Sequence, residues 1–209
     1  MRGKHGSFPE HKIALVKEDV LEQVVDDYLQ MKGYFTMHNI RFRPSPDHTD
    51  FVSRADSVYS DLDVLGVNPR LSGPGRVVAV SCKSWQSGFN PTSKLAELRG
   101  EKKGGKRQTW RMFREVWSPK WSLAFVDRIE ELTGQREFEY RIAVTKLTGS
   151  GTAKAWNDDA TISSNLPECP ISFMTMEGMW REVVDALGTT PAASEIGRLA
   201  QLLKASGVA

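Results

Sequence analysis

Two pairs of residues carry the chemistry of this sequence: Asp61 with Asp63, and Ser81 with Lys83. Each pair sits in a run of apolar and β-branched residues that reads as a strand, Asp61 to Val67 (DLDVLGV) and Val77 to Lys83 (VVAVSCK). Side chains two apart on a strand share a face. Asp61 and Asp63 therefore share one face, with Leu62 and Val64 opposite, and Ser81 and Lys83 share another, with Val78, Val80 and Cys82 opposite. Asn68-Pro69 and Gly73-Pro74-Gly75 between the runs are turn chemistry, so the strands read as hairpin neighbours. A lysine on a strand built for burial is costly unless paired, and carboxylates on the next strand would pair it. Carboxylate oxygens suit a hard divalent cation, and a lysine beside them suits charge developing on a phosphate.

The elements that must position these residues can be read from periodicity. From about Leu15 to Met31, Leu21, Val24, Val25, Tyr28 and Leu29 recur on one helix face, and Gly33 is the stop. Glu22 lies at the edge of that stripe, about 100° from Leu21, within reach of the same site. Tyr34 to Phe42 reads as a strand, followed by a polar loop to about Tyr59. After Ser87-Gly88 a helical region is interrupted by Gly104-Gly105, and Trp110, Phe113 and Trp117 form one apolar stripe if helical. Those tryptophans read as core before they read as base-stacking platforms. Lys120 to Leu132 reads as a helix, Phe138 to Lys146 and Pro170 to Met176 as strands, and Glu177 to Leu187 as a helix. Thr190 and Pro191 open a last amphipathic helix carrying Ile196, Leu199, Leu202 and Leu203 to about Ala205. The expected fold is α/β: a central mixed β-sheet of about four to five strands flanked by helices, with a C-terminal helical extension. Residues 1–12 read as a flexible N-terminus, 13–187 as the α/β domain, and 188–209 as the C-terminal helix.

The 209 residues are 40% hydrophobic and 26% charged, ordinary for a globular protein. No apolar run approaches the roughly 20 residues that span a bilayer. Cys82 and Cys169 make neither a disulfide framework nor a zinc motif, and a cytoplasmic setting with reduced thiols is expected. The four histidines show no metal-ligand spacing. Net charge is only +2, but Lys94 to Arg114 holds eight basic residues against Glu97 and Glu101, a local +6 that leaves the rest at −4. Such asymmetry points to a polyanion, with Lys94, Arg99, Lys102, Lys103, Lys106, Arg107 and Arg111 as the contacts.

The order of motifs resembles the PD-(D/E)xK nuclease superfamily, in its restriction-endonuclease-like, Mrr-type branch. The resemblance covers residues 15–90. It rests on a helix glutamate eleven residues before a Gly-aromatic step (Glu22 to Gly33-Tyr34), then DLDVLGV, then an apolar strand ending in x-K. It implies a mixed sheet between helices and hydrolysis of DNA phosphodiesters with Mg²⁺ or Mn²⁺. It implies that Asp63 binds the metal, that Lys83 is the lysine of the D/E-x-K element, and that Glu22 assists metal binding. Gln86 falls where related enzymes carry a polar residue near the site. Asp61 has no firm counterpart and is carried as a further metal candidate.

The departure is Ser81, which stands where the family has an acid two before the lysine. Two readings follow. Glu22 or Asp61 supplies the missing carboxylate and the protein is a metal-dependent DNA endonuclease. Alternatively, the metal site is lost and the nuclease-like fold serves as a nucleic-acid-binding or protein-interaction module. A third reading, a structural α/β domain with a buried ion pair, leaves the basic segment without a purpose. The sequence leaves open a homodimer or a targeting partner protein.

Overall fold

The computed structural model describes residues 19–104 and 108–207. The chain runs α1 (Val20–Met31), β1 (Phe35–Phe42), α2 (Ser53–Asp56), β2 (Ser60–Val67), β3 (Val77–Lys83), α3 (Pro91–Leu98), α4 (Arg114–Trp117) and α5 (Pro119–Thr133). It continues through β4 (Glu139–Val144), α6 (Ala153–Asn157), α7 (Ala160–Asn165), β5 (Ile171–Thr175), α8 (Met176–Ala186) and α9 (Glu195–Ala205). The strands form one sheet in the order β1-β2-β3-β4-β5. β1, β2 and β3 pair antiparallel, whereas β3 with β4 and β4 with β5 pair parallel. This is the mixed sheet flanked by helices that the sequence predicts.

β3 sits at the centre because its sequence tolerates burial on both sides. Val77, Val78, Ala79 and Val80 are fully buried, as expected of a strand covered on both faces. Val77 and Ala79 join a core with Trp121, Phe125 and Ile129 of α5. Val78 and Val80 join a second core with Leu21, Val24, Val25 and Leu29 of α1 and Met179 of α8. The sheet thus separates two apolar layers. α1 starts at Val20, with the Asp19 side chain accepting from the Leu21 amide at 2.9 Å.

β1 and β2 are not regular. Their register runs from Phe35 opposite Val67 to His38 opposite Val64, then resumes with Ile40 opposite Leu62, omitting Asn39 and Asp63. Asn39 has φ 53°, the left-handed region that asparagine reaches more readily than most residues. The consequence is a change of face. Leu62 and Leu65 both lie in the α5-side core, while Val64 lies in the α1-side core. The expectation that Leu62 and Val64 share a face fails here, because strict alternation does not survive the break at Asn39 and Asp63.

Other boundaries also differ from the sequence reading. The polar loop before Tyr59 contains α2, and α6 and α7 were not foreseen. Trp110, Phe113 and Trp117 do not share one helix: Phe113 has φ −137° and ψ 34°, separating a 3-10 turn (Thr109–Met112) from α4. All three still pack in or against the α5-side core. The last helix begins at Glu195, capped by Ser194 rather than Thr190. Ser194 wins because its hydroxyl meets both the Gly197 amide, at 2.9 Å, and the Asp27 carboxylate on α1, at 2.6 Å. The expected flexible N-terminus and the helix over residues 15–18 lie outside the described residues.

Candidate active site

Pairing between β2 and β3 ends at Val64 and Val80, while β3 goes on pairing with β4 through Lys83. The two strands part where Asp63 and Ser81 begin. Asp63 bridges that opening: its Oδ2 accepts from the Cys82 amide at 2.5 Å and from Ser81 Oγ at 3.4 Å. Lys83 Nζ donates to Ser81 Oγ at 2.7 Å and lies 5.7 Å from the centre of the Phe113 ring. Asp63, Ser81 and Lys83 therefore form one connected group. Ser81 is buried, whereas Asp63 and Lys83 are partly exposed.

The electrostatics follow from that placement. Burial pushes the Asp63 carboxyl above its ordinary value, against the Lys83 charge and the Cys82 amide, which pull it down. Burial also drives the Cys82 thiol far up, and the Asp63 and Glu22 charges add to the rise. Cys82 packs against the α1-side core.

Glu22 is partly buried on α1 and near enough to Cys82 to act on its titration. It also lines a small cavity of about 220 Å³ with Asp26, Asp27, His38 and Asn39. Asp61 turns instead to Arg41, 3.7 Å away, with both side chains well exposed. Gln86 is exposed in the turn after β3.

Two residues missing from the sequence reading stand beside this group. Glu115 of α4 is buried and accepts from the Tyr140 hydroxyl at 2.6 Å. Tyr140 of β4 is fully buried, and burial together with the Glu115 charge pushes its hydroxyl well above the ordinary value. Glu115 also bears on Asp63, raising its carboxyl pKa. The signal available in the sequence was a lone carboxylate inside the aromatic run from Phe113 to Trp117.

The basic segment divides into two groups. Lys94 binds Glu97 at 2.8 Å, and Arg99 binds the buried Asp159 at 2.9 Å, so both serve the fold. Lys102, Lys103 and Arg111 are exposed, with Lys102 donating to Ser93 and Arg111 lying over Trp110. Lys106 and Arg107 lie outside the described residues. At the sheet end that carries Lys83, a groove of about 620 Å³ is lined by Arg41, Arg43, His48, Tyr59, Lys120 and Arg128 among others. Arg43 stacks over Tyr59 at 4.7 Å.

Among the described residues, no group of three or more histidines, cysteines, aspartates and glutamates is arranged to hold a metal ion, and no helix is long and apolar enough to cross a membrane. No family model matches the chain, and neither does any curated protein. Among solved structures, the crystal structure of a repair endonuclease from Pyrococcus abyssi matches with a TM-score of 0.29 and 13% identity, over 77% of this chain and 47% of that one. The chain thus spans about half the length of the protein it matches.

Proposed function

We propose that this protein is a metal-dependent DNA endonuclease that hydrolyses phosphodiester bonds at Asp63 and Lys83. The observation that carries the reading is the connected group at the parted ends of β2 and β3, in which Asp63 and Lys83 meet through Ser81. Such a group on partly exposed side chains is more than a buried ion pair needs.

The donors fit magnesium or manganese. Magnesium takes one or two carboxylates and completes its shell with waters and substrate phosphate, so three converging protein ligands are not required. Both hydrogen bonds to Asp63 fall on Oδ2, which leaves Oδ1 for a cation. Glu22, whose charge also acts on Cys82, is the candidate second carboxylate. A bound cation lowers the pKa of its water and offsets charge on the phosphate in the transition state.

The remaining roles belong to the chain. Lys83 offers its ammonium to the phosphate oxygen that gains charge, and Ser81 holds that ammonium in place. The Cys82 amide orients the Asp63 carboxylate. Lys102, Lys103, Lys106, Arg107 and Arg111 contact backbone phosphates, giving affinity without reading sequence. Arg41 and Arg43 extend that contact at the same sheet end.

One observation favours a second reading. The second reading is a nuclease-like fold that binds nucleic acid and no longer cuts; among the described residues no three such ligands converge. Cleavage of plasmid and labelled DNA in Mg²⁺, Mn²⁺ or EDTA separates the two, with Lys83→Ala and Asp63→Ala alongside. Metal-dependent cutting lost in both variants supports the enzyme. Salt-sensitive binding without cutting supports the second reading.

A further inference from the structure

The groove at the Lys83 end of the sheet offers an aromatic face as well as charge. Arg43 directly follows β1 and Tyr59 directly precedes β2, and the last rung between those strands, Phe42 opposite Ser60, sets them side by side. The Arg43 guanidinium lies over the Tyr59 ring, 4.7 Å from its centre. Other charges of the groove are engaged: Lys120 with Asp56, Arg41 with Asp61, Arg128 with Glu131, and Asp127 with Arg136. Among the described residues Arg43 has no acidic partner, and Tyr59 is 48% exposed. An exposed stack of this kind adds little to the fold.

The pair is nevertheless held in place. Phe42 packs on Trp121 and Phe125 of α5, and Asp56 ties the loop before Tyr59 to Lys120 and Trp121. The groove also opens on the face of the sheet that carries the site: Phe42 in its lining belongs to the same α5-side core as Phe113, over which Lys83 lies. Tyr59 is four residues before Asp63, so their Cα atoms are within about 14 Å of each other. A tyrosine ring and a guanidinium plane are both surfaces on which an unstacked base settles, whatever its identity.

We propose that Tyr59 and Arg43 form a stacking platform for an unpaired nucleobase, with Arg43 also holding the adjoining phosphate. Bases inside a duplex keep their faces covered by their neighbours, so the occupant is a single-stranded segment of DNA. With the nuclease reading above, on which this rests, the substrate class becomes DNA that is unpaired beside the scissile bond.

Binding in EDTA tests the platform without any cleavage. Wild-type protein, Tyr59→Ala and Tyr59→Phe are titrated against three labelled probes: an oligothymidylate, an abasic strand of the same length, and a duplex. Tyr59→Ala is expected to weaken oligothymidylate binding about fivefold or more, while its affinity for the abasic strand and the duplex stays within about twofold of wild type. Tyr59→Phe, which keeps the ring, binds all three probes as the wild type does. Equal oligothymidylate affinity of Tyr59→Ala and wild type, an equal loss on the abasic strand, or no single-strand binding by the wild type overturns the proposal. Metal-dependent cutting with no selective loss in Tyr59→Ala leaves the nuclease reading standing and removes the platform. A selective loss in a protein that cuts no DNA does the reverse.

Discussion

Lys83 Nζ donates to Ser81 Oγ at 2.7 Å, so a serine occupies the hydrogen-bonding place beside the lysine where an acid was expected. The same hydroxyl reaches Asp63, which makes Ser81 the joint between the two charged residues.

The burial of Asp63 sets its titration. Burial raises its carboxyl above the ordinary 3.8, so the folded state binds this proton more tightly than the unfolded chain does. The sign is therefore destabilising: the cost is absent below 3.8, grows as pH rises toward the folded value, and is complete above it. Asp63→Asn keeps an acceptor for the Cys82 amide and removes the charge. In EDTA its Tm should exceed the wild-type value at pH 7, with the gain fading as pH falls toward 4. Equal Tm values across that range would contradict the assignment.

Asp56 behaves in the opposite way. Burial opposes its charge, but Lys120 at 2.6 Å and the Val52 amide at 2.7 Å outweigh burial and hold the carboxyl below its ordinary value. Its contribution is present above 3.8 and is lost as pH falls through the lower folded value. Asp56→Asn should cost about 2–3 kcal/mol at pH 7, discounted because Lys120 is partly exposed. That corresponds to a Tm drop of roughly 4–12 °C, narrowing in strong acid. Thermal denaturation at pH 7 and pH 3 measures it.

Both thiols should be inert in the folded protein. Burial raises Cys82 and Cys169 above the usual thiol range. Iodoacetamide at pH 8 is expected to leave both unmodified until denaturant is added. Prompt labelling of Cys82 without denaturant would mean that the opening between β2 and β3 is wider than described.

Charge reversal should separate the two groups of the basic segment. Lys102→Glu, Lys103→Glu, Lys106→Glu and Arg107→Glu together should weaken DNA binding and flatten its salt dependence with little effect on Tm. Arg99→Glu should instead lower Tm, because it sets a second negative charge against the buried Asp159. Titration of labelled DNA at several salt concentrations, beside melting curves, distinguishes them.

The sheet was largely legible because its strands alternate or run apolar, and Val77–Lys83 was read with the bounds it has. Asp63, Ser81 and Lys83 could be brought together from two strands and a turn. What stayed hidden depended on single backbone angles and distant contacts. One left-handed residue, Asn39, sets Leu62 and Val64 on different faces. Phe113 ends what reads as a continuous helical stripe. Ser194 outcompetes Thr190 as a cap through Asp27, which is remote in sequence. Glu115 and Tyr140 meet across 25 positions, and no local pattern announces such a pair.

The most direct measurement is cleavage of supercoiled plasmid, linear duplex and single-stranded DNA in Mg²⁺, Mn²⁺ or EDTA. Wild-type protein is expected to cut at least one of them only with metal, and Asp63→Ala and Lys83→Ala to lose that activity while folding normally. Cutting that persists in EDTA or in either variant, or no cutting of any DNA, would contradict the account.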